Sequence, residues 1–282
     1  MIFPLVIKSI TPIHIGSGES SREVDQPVVR DGLGIPYIPS SGLKGAIKAS
    51  LPDGLKSLLG SEPDASSTIP SKVKFYDAYP VIFPVRSLRN LYCFVSSPYL
   101  LRWFLDIREF LNTGNKDEYN FANIIMNIDS NVAYSIDPGL FSLDILSQKF
   151  MGMAMFNEEF FQLKRLDSSE FNKFLDKFLG LDRESIRRVV LLSDDVIQRM
   201  INSSLLRVTR VRLEGHTKKV KEHALWSEEY IPRSTYFISY IESRELNSQK
   251  FNEILNDIDG KLLFLGGLET IGRGLVKLKV VR

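Results

Sequence analysis

The sequence predicts an α+β protein with a ferredoxin-like order of strands and helices. Near the C-terminus the pattern is strand, helix, strand, glycine loop and strand, at residues 234–242, 248–255, 261–265, 266–274 and 275–281. This order is half of such a fold. An apolar strand at residues 2–10 and a helical stretch at 42–59 supply the opening half. A chain of 282 residues is long for one core and short for two equal domains, so we expect the residues between the two halves to be an insertion.

Composition indicates an ordinary globular protein, because 44% of the residues are hydrophobic and 25% are charged. No apolar run is long enough to cross a membrane. The N-terminal segment MIFPLVIKSI has the pattern of a first strand rather than a signal peptide. The single cysteine, Cys93, excludes a disulfide framework and a cysteine-rich zinc site within one chain. We therefore expect a cytoplasmic protein without membrane partners.

The middle of the chain has a weaker pattern. Strand-like runs lie at residues 74–78 and 91–96, and a proline opens a predicted helix at 98–111. Beyond that helix the strongest local signal is a second helix at 170–178. We see no internal repeat that would indicate a solenoid.

A polar stretch from His14 to Ala49 follows the first strand. It contains four glycines before Ser40 and Ser41, which have the pattern of a helix N-cap. Lys44 lies in the helix that follows. A strand, a long polar loop and a helix N-terminus with lysines are typical of a phosphate cradle. The alternative is an ordinary surface loop that leads into a capped helix.

A predicted hairpin at residues 204–225 carries the strongest charge asymmetry in the chain. Residues 205–223 include six basic residues and two acidic ones, a net charge of +4. The basic residues predicted to bind a nucleic-acid backbone are Arg210, Arg212, Lys218 and Lys219. The alternative is a solvated hairpin face, since the net charge of the whole chain is only +2.

Two acidic residues follow this hairpin. Glu228 and Glu229 lie between Trp226 and Tyr230. The pair is suited either to binding a metal or to the edge of a strand, and the pattern favours the edge.

Familiar catalytic motifs are absent from the sequence. The glycine loop LFLGGLETIGRGLVKL lacks a Walker A lysine and the Rossmann spacing, so ATP and NAD are not expected. There are three histidines and neither an HExxH motif nor a nucleophile elbow. His14 directly follows the first strand, where it either acts on a proton or has a structural role.

Five segments together resemble the RAMP superfamily of CRISPR RNA-binding proteins. They are HIGSG, VDQPVVRDGLGIPYIPSSGLKGAIK, YDAYPVIFPVRSL, KKVKEHALWSEEYIP and GGLETIGRGLVKL. More narrowly, they are similar to the repeated backbone subunit of the Cmr (type III-B) effector complex. The resemblance covers residues 1–96 and 204–282.

This resemblance implies an architecture. An RRM-like palm would comprise residues 1–97 and 226–282, with an inserted, mainly helical region at 98–203 and a β-hairpin thumb at 204–225. Copies of the subunit would stack as a filament along a CRISPR guide RNA, beside other Cmr subunits. They would cut guide-paired target RNA once per subunit with a divalent metal.

The resemblance also implies residue roles. The cleaving aspartate maps to Asp25, either as a Mg²⁺ ligand or as the proton acceptor, and Glu19 and Glu23 are acids that could compete with it. His14, Glu228 and Tyr230 map to the other catalytic positions. The guide-binding residues map to Ser41, Lys44, Gly272, Arg273 and Gly274, and helical spacing adds Lys48.

RNA supplies its own nucleophile in such a reaction. Its 2′-hydroxyl would attack the adjacent phosphorus, giving a 2′,3′-cyclic phosphate and a 5′-hydroxyl, so that positioning supplies much of the catalysis. Two other classes stay open: a non-cutting RNA-binding backbone subunit, and a RAMP endoribonuclease that processes guide RNA.

Overall fold

The computed structural model describes residues 1–18, 20, 24–61, 67–111, 128–144, 146, 148–213 and 220–282. Two compact units form. Unit 1 comprises residues 1–79 and 205–282, and unit 2 comprises residues 80–204. The chain is a mixed α+β protein, and no helix among the described residues is long and apolar enough to cross a membrane.

Unit 1 carries most of the residues singled out in the sequence. Its first strands are β1 (Ile2–Ser9) and β2 (Val73–Phe75). The strands of unit 2 follow in the chain: β3 (Tyr79–Ser87), β4 (Leu91–Ser96), β5 (Val132–Ser135), β6 (Met153–Phe156), β7 (Glu159–Arg165) and β8 (Val189–Leu191). The first residue of β3, Tyr79, belongs to unit 1. The chain returns to unit 1 with β9 (Leu206–Leu213), β10 (Val220–Tyr230), β11 (Tyr236–Ser243), β12 (Leu262–Phe264) and β13 (Leu275–Val280).

The helices are short. In chain order they are α1 (Ser40–Ser50), α2 (Asp53–Lys56), α3 (Pro98–Leu111), α4 (Ser169–Lys173), α5 (Arg183–Arg187), α6 (Asp194–Ser204) and α7 (Ser248–Ile258). The predicted strand at 91–96 is confirmed at both ends, and the predicted helix at 98–111 is confirmed from its start at Pro98 through Leu111. The segment 170–178 is a short α-helix, α4, continued by a π-helical turn at Phe174–Phe178.

The unit 1 sheet is antiparallel in the order β12-β13-β1-β11-β2. Helix α7 covers it with Phe251, Ile254, Leu255 and Ile258, whose spacing places all four on one buried face. The ring of Phe251 lies 6.0 Å from that of Phe3. The Asn247 side chain caps α7 by accepting a hydrogen bond from the Lys250 amide at 2.9 Å.

Helix α1 starts differently from the prediction. Ser40 and Ser41 are the first residues of the helix, and Pro39 occupies the N-cap position without a side-chain hydrogen bond. The Ser40 amide instead donates to Asp77 Oδ1 at 2.7 Å. The predicted N-cap is therefore wrong, because a carboxylate from a distant segment satisfies the first amide. The predicted continuous helix at 42–59 is also wrong, since Leu51 and Pro52 interrupt it.

Unit 2 contains more strand than the sequence suggests. Its six strands follow the order β3-β4-β8-β5-β7-β6, and a bridge between Ser87 and Phe156 joins the first to the last. Phe104, Phe174 and Phe178 pack together in its core, with ring centroids 4.9 and 4.6 Å from Phe104. The prediction places a mainly helical insertion at 98–203, whereas this unit begins at residue 80 and contains strands β5 to β8 within that range. Strands of three or four residues are too short for a periodic signal.

Strands β9 and β10 form a separate antiparallel hairpin from Leu206↔Tyr230 to Leu213↔Val220, with an irregularity between Val220 and Leu225. The strand β10 runs five residues beyond its predicted end at residue 225, so the acidic pair lies within the hairpin rather than after it. The turn predicted at residues 214–216 lies outside the described residues.

The glycine loop after β12 packs against the chain that follows β1. The Gly267 amide donates to the His14 carbonyl at 3.0 Å, and the Gly274 amide donates to the Pro12 carbonyl at 2.8 Å. At Gly266, with φ of +79°, an added Cβ would lie 2.1 Å from the His14 carbonyl oxygen. This close approach requires glycine and fixes the loop beside His14.

Replacement of Gly266 by alanine should therefore destabilise the protein by about 2 kcal/mol or more, since it combines a left-handed backbone with a backbone clash. Gly272→Ala is the matched control. Gly272 has φ of +75° but no atom within 4 Å of the added Cβ, so only the conformational cost of about 1 kcal/mol remains. Denaturant unfolding of both variants measures the difference, and equal losses would contradict the close packing of the loop on His14.

Candidate RNA-cleavage site

A loop segment lies along the edge of β10 that faces away from β9. Gln26 pairs with Glu228 in a parallel bridge. Its amide donates to the Ser227 carbonyl at 3.0 Å, and its carbonyl accepts from the Glu229 amide at 3.0 Å. The middle of β10 therefore has backbone partners on both edges, and the segment that carries Asp25 is attached to it.

Asp25 is exposed and held by one residue. Its Oδ2 accepts hydrogen bonds from the Ser227 amide at 2.7 Å and the Ser227 hydroxyl at 2.8 Å. The Asp25 amide donates back to Ser227 Oγ at 3.0 Å. These hydrogen bonds, first that from the Ser227 amide and then that from its hydroxyl, lower the pKa of Asp25. Asp25 is therefore a surface carboxylate that stays ionised at neutral pH.

Glu228 lies on the face of β10 opposite to that of Ser227 and is 2% exposed. Its Oε2 accepts from Arg210 Nε at 2.9 Å and from the Tyr230 hydroxyl, and its Oε1 accepts from Trp226 Nε1 at 2.8 Å. Burial alone would raise the pKa of Glu228, but the hydrogen bonds from Tyr230, Trp226 and Arg210 lower it overall. Glu228 is thus a buried, ionised acceptor whose donors belong to the hairpin itself.

Tyr230 is the centre of a buried aromatic contact. It is fully buried, and its ring lies 5.6 Å from the His14 ring and 4.7 Å from the Arg273 guanidinium. Burial and the hydrogen bond to Glu228 raise the pKa of Tyr230, so its hydroxyl stays protonated. His14 Nδ1 lies 2.7 Å from the Glu229 carbonyl, to which it donates. The predicted residues His14, Glu228, Tyr230 and Arg273 are therefore brought together.

Glu229 points to the loop side of β10 and is 1% exposed. Its Oε2 accepts from Arg30 at 2.6 Å and from the Val28 amide at 3.3 Å, and its Oε1 accepts from Arg207 Nε at 3.4 Å. One buried carboxylate thereby joins the loop to both strands of the hairpin. The two acids are not at a strand edge, as the pattern favoured, but in a strand with partners on each side.

The α1 residues differ from one another. Ser41 is exposed and Lys44 is half-buried. Lys48 Nζ donates to the Ser61 carbonyl at 3.0 Å, whereas Lys44 has no hydrogen bond or ion pair with another described residue. The two lysines predicted to share an RNA-binding face therefore differ in how far their ammonium groups are already engaged within unit 1.

The basic hairpin is partly neutralised from within. Arg210 pairs with Glu228 and Arg207 with Glu229. Arg212 is exposed near the end of β9, and Lys218 and Lys219 lie outside the described residues. The charge count of the sequence therefore overstates the positive charge that the described part of the hairpin offers to a ligand.

The chemistry of the donor set limits where a divalent ion could bind. No group of three or more His, Cys, Asp or Glu side chains that could hold a metal occurs among the described residues. The carboxylates of Glu228 and Glu229 already form ion pairs with arginine side chains. Asp25 is exposed, and its Oδ1 accepts no hydrogen bond from another described residue. Mg²⁺ commonly uses one or two carboxylates together with substrate phosphates, so Asp25 fits such an ion. The other two acids of the loop, Glu19 and Glu23, lie outside the described residues.

Three residues of this region carry no signal in the sequence. Ser227 binds Asp25, Arg30 binds Glu229, and Asp77 binds the first amide of α1. Ser227 and Arg30 are about two hundred positions from their partners. Only the alternation of β10, which places Ser227 and Glu229 on one face, offers a hint.

Glu229→Ala should destabilise the protein by about 3 kcal/mol, because it leaves Arg30, Arg207 and the Val28 amide without their buried acceptor. Glu253→Ala on the exposed face of α7 is the control, with an expected change within about 0.5 kcal/mol. Chemical denaturation of the two variants checks this, and similar stabilities would refute the linking role of Glu229.

Comparison with known proteins places this chain in a family. The CRISPR system CMR subunit Cmr4 of Saccharolobus solfataricus is 31% identical over 301 residues, covering 98% of this chain and 95% of the relative. The Cmr endoribonuclease Cmr4 of Pyrococcus furiosus is 29% identical over 283 residues, covering 95% and 92%.

Solved structures agree with this assignment. A chain in the cryo-EM structure of the type III-B Cmr-beta complex bound to cognate target RNA is 28% identical, with a TM-score of 0.78, covering 99% of this chain and 97% of that one. The family model of the RAMP superfamily matches residues 6–277. This chain therefore belongs to the RAMP superfamily.

Proposed function

We propose that this protein is a backbone subunit of a type III-B CRISPR effector complex, which binds guide RNA and cleaves the target RNA paired with it. The observation that carries the proposal is Asp25, an exposed carboxylate fixed on β10 by Ser227. The same strand contributes Glu228 and Tyr230 to a buried network. The names of the relatives, one of them a Cmr endoribonuclease, support the activity. It would act in the cytoplasm.

The palm and thumb of such a subunit would correspond to parts of unit 1. The strand order β13-β1-β11-β2, with α1 and α7 in the chain between the strands, supports a ferredoxin-like palm, to which β12 would add an edge. The hairpin β9–β10 would be the thumb. Copies of the subunit would stack along the guide RNA beside other Cmr subunits, since a head-to-tail contact that does not close generates a filament.

Cationic side chains beside the site would bind the RNA backbone. Arg273 lies over the Tyr230 ring, and its buried Nε has no hydrogen-bond partner in the part of the chain that the structure describes. The guanidinium of Arg273, a half-buried side chain, is suited to a phosphate oxygen. Gly272 and Gly274 flank it in the glycine loop, and Lys44, Ser41 and Arg212 are further candidates.

Cleavage then requires little of the protein beyond positioning. The target RNA 2′-hydroxyl attacks the adjacent phosphorus, a bond from the 2′-oxygen to phosphorus forms, and the bond from phosphorus to the 5′-oxygen breaks. The 2′-hydroxyl proton would pass to solvent, and the 5′-oxygen would gain a proton from solvent. Asp25 would contribute as an ionised group of fixed orientation that holds a cation at the phosphate. Its lowered pKa makes it a weak base, which favours the role of metal ligand.

Asp25 would hold a divalent ion such as Mg²⁺ in this proposal. When bound, the ion would supply positive charge that stabilises the negative phosphate in the transition state. His14, Glu228 and Tyr230 are buried below the surface, so we assign them to positioning: His14 fixes the start of the loop, and Tyr230 and Glu228 fix β10 and Arg273.

Asp25→Ala should reduce target cleavage by orders of magnitude while guide and target binding persist, because the loss acts on the transition state. The measurement is cleavage of a complementary RNA by the reconstituted complex with Mg²⁺, beside a gel-shift of the same RNA. Asp53→Ala, another exposed aspartate of unit 1, is the matched control and should cut normally.

Two outcomes would overturn this assignment. Normal cutting by the Asp25→Ala complex would make Glu19 or Glu23 the next carboxylate to test, or would favour a non-cutting subunit if neither matters. Loss of target binding in the same variant would give Asp25 a structural role instead.

Lys44→Ala should weaken guide binding about equally for all sequences and lower the salt slope by roughly 0.7, the value for one lost single-strand phosphate contact. Lys48→Ala is the natural comparison on the same helix. We expect it to change the slope less, because its ammonium group already binds the Ser61 carbonyl. Titrations at several salt concentrations measure both slopes, and a larger loss for Lys48→Ala would reverse the assignment.

A further inference from the structure

We propose that Ser227 is a positioning residue for RNA cleavage, which holds the Asp25 carboxylate in one orientation on β10. This inference rests on the proposed function, because it takes Asp25 as the group that acts at the scissile phosphate. Ser227 occupies the position between Trp226 and Glu228, and neither composition nor motif singles it out.

The contacts between the two residues are reciprocal. The Ser227 hydroxyl donates to Asp25 Oδ2 at 2.8 Å and accepts from the Asp25 amide at 3.0 Å, while the Ser227 amide donates to the same Oδ2 at 2.7 Å. One serine thus fixes both the backbone and the side chain of Asp25. An exposed aspartate without such contacts samples several rotamers.

The anchor is itself rigid. Ser227 pairs with Thr209 across the hairpin, and its carbonyl accepts from the Gln26 amide at 3.0 Å on the other edge. The position of the hydroxyl is therefore set by β9, β10 and the loop together. A carboxylate bound to this hydroxyl inherits that position, as expected for a group that must meet a reacting phosphate.

A second acidic side chain on this face of β10 does not compete for the serine. Glu229 lies two residues further along the same face, and its oxygens accept from Arg30, Arg207 and the Val28 amide. Ser227 is left to Asp25. The hydrogen bonds from Ser227 occupy Oδ2 of Asp25, so that Oδ1 is the oxygen directed to other ligands. A rotation of the carboxylate would exchange the positions of the two oxygens.

The test compares Ser227→Ala, Ser227→Thr and Asp25→Ala in the reconstituted, guide-loaded complex with Mg²⁺ and a complementary target RNA. Ser227→Ala keeps the amide contact and loses both hydroxyl contacts. We expect its single-turnover cleavage rate at saturating target to fall by about 10- to 100-fold, a size typical of a misplaced group. Target affinity and the thermal midpoint should not change.

Ser227→Thr restores the hydroxyl and should return the rate to within about threefold of the wild type, since both contacts can form again. The matched control is Thr209→Ala, which removes a hydroxyl from the facing position on β9 without touching Asp25. Its rate should equal that of the wild type.

The outcomes separate the two hypotheses. If Asp25→Ala is inactive and Ser227→Ala cuts at the wild-type rate, the positioning role is refuted while the proposed function stands. If Asp25→Ala cuts normally, Asp25 is not the group that acts at the scissile phosphate, and the inference fails with that assignment. Loss of target binding or stability in Ser227→Ala, or failure of threonine to rescue, would mean a structural role and would also refute the proposal.

Discussion

The ion pairs of Glu229 are the interaction on which the candidate site depends. This carboxylate is 1% exposed and accepts from Arg30 in the loop, from Arg207 in β9 and from the Val28 amide. A buried carboxylate is stable only when its oxygens are satisfied by donors of this kind. The charge of Glu229 is therefore compensated only when the loop that carries Asp25 lies along β10.

Adjacent residues of β10 then have opposite surroundings because side chains alternate across a strand. Ser227 and Glu229 face the loop, whereas Glu228 and Tyr230 face His14 and the glycine loop. The segment WSEEY thus has two roles, one on each face of β10. One face holds Asp25 at the surface, and the other supports the residues below Arg273.

Local pattern predicts some of these elements and not others. The strand at 91–96 and the helix at 98–111 have clear periodicity and strong boundary signals, so their limits agree with the structure. The start of α1 differs from the prediction because its first amide binds Asp77, which lies thirty-seven positions away. Contacts at such separation depend on the tertiary fold, and local composition does not encode them.

The same limit applies to the site. The resemblance singled out Asp25, His14, Glu228 and Tyr230, and the structure brings the last three together with Arg273. It could not indicate that Arg210 neutralises Glu228, or that Ser227 binds Asp25, because both contacts follow from the register of the hairpin and the loop. The roles of these residues in cleavage stay predictions.

The most direct test is a cryo-EM structure of the guide-loaded complex with a target RNA that carries 2′-deoxyribose at the cut site, which prevents cleavage. We expect the Asp25 carboxylate to lie at the scissile phosphate, directly or through a bound ion. Ser227 should still be in contact with Asp25, and Glu228 and Tyr230 should still be buried below. An Asp25 remote from the RNA, or Glu228 and Tyr230 exposed and in contact with it, would contradict the proposed site.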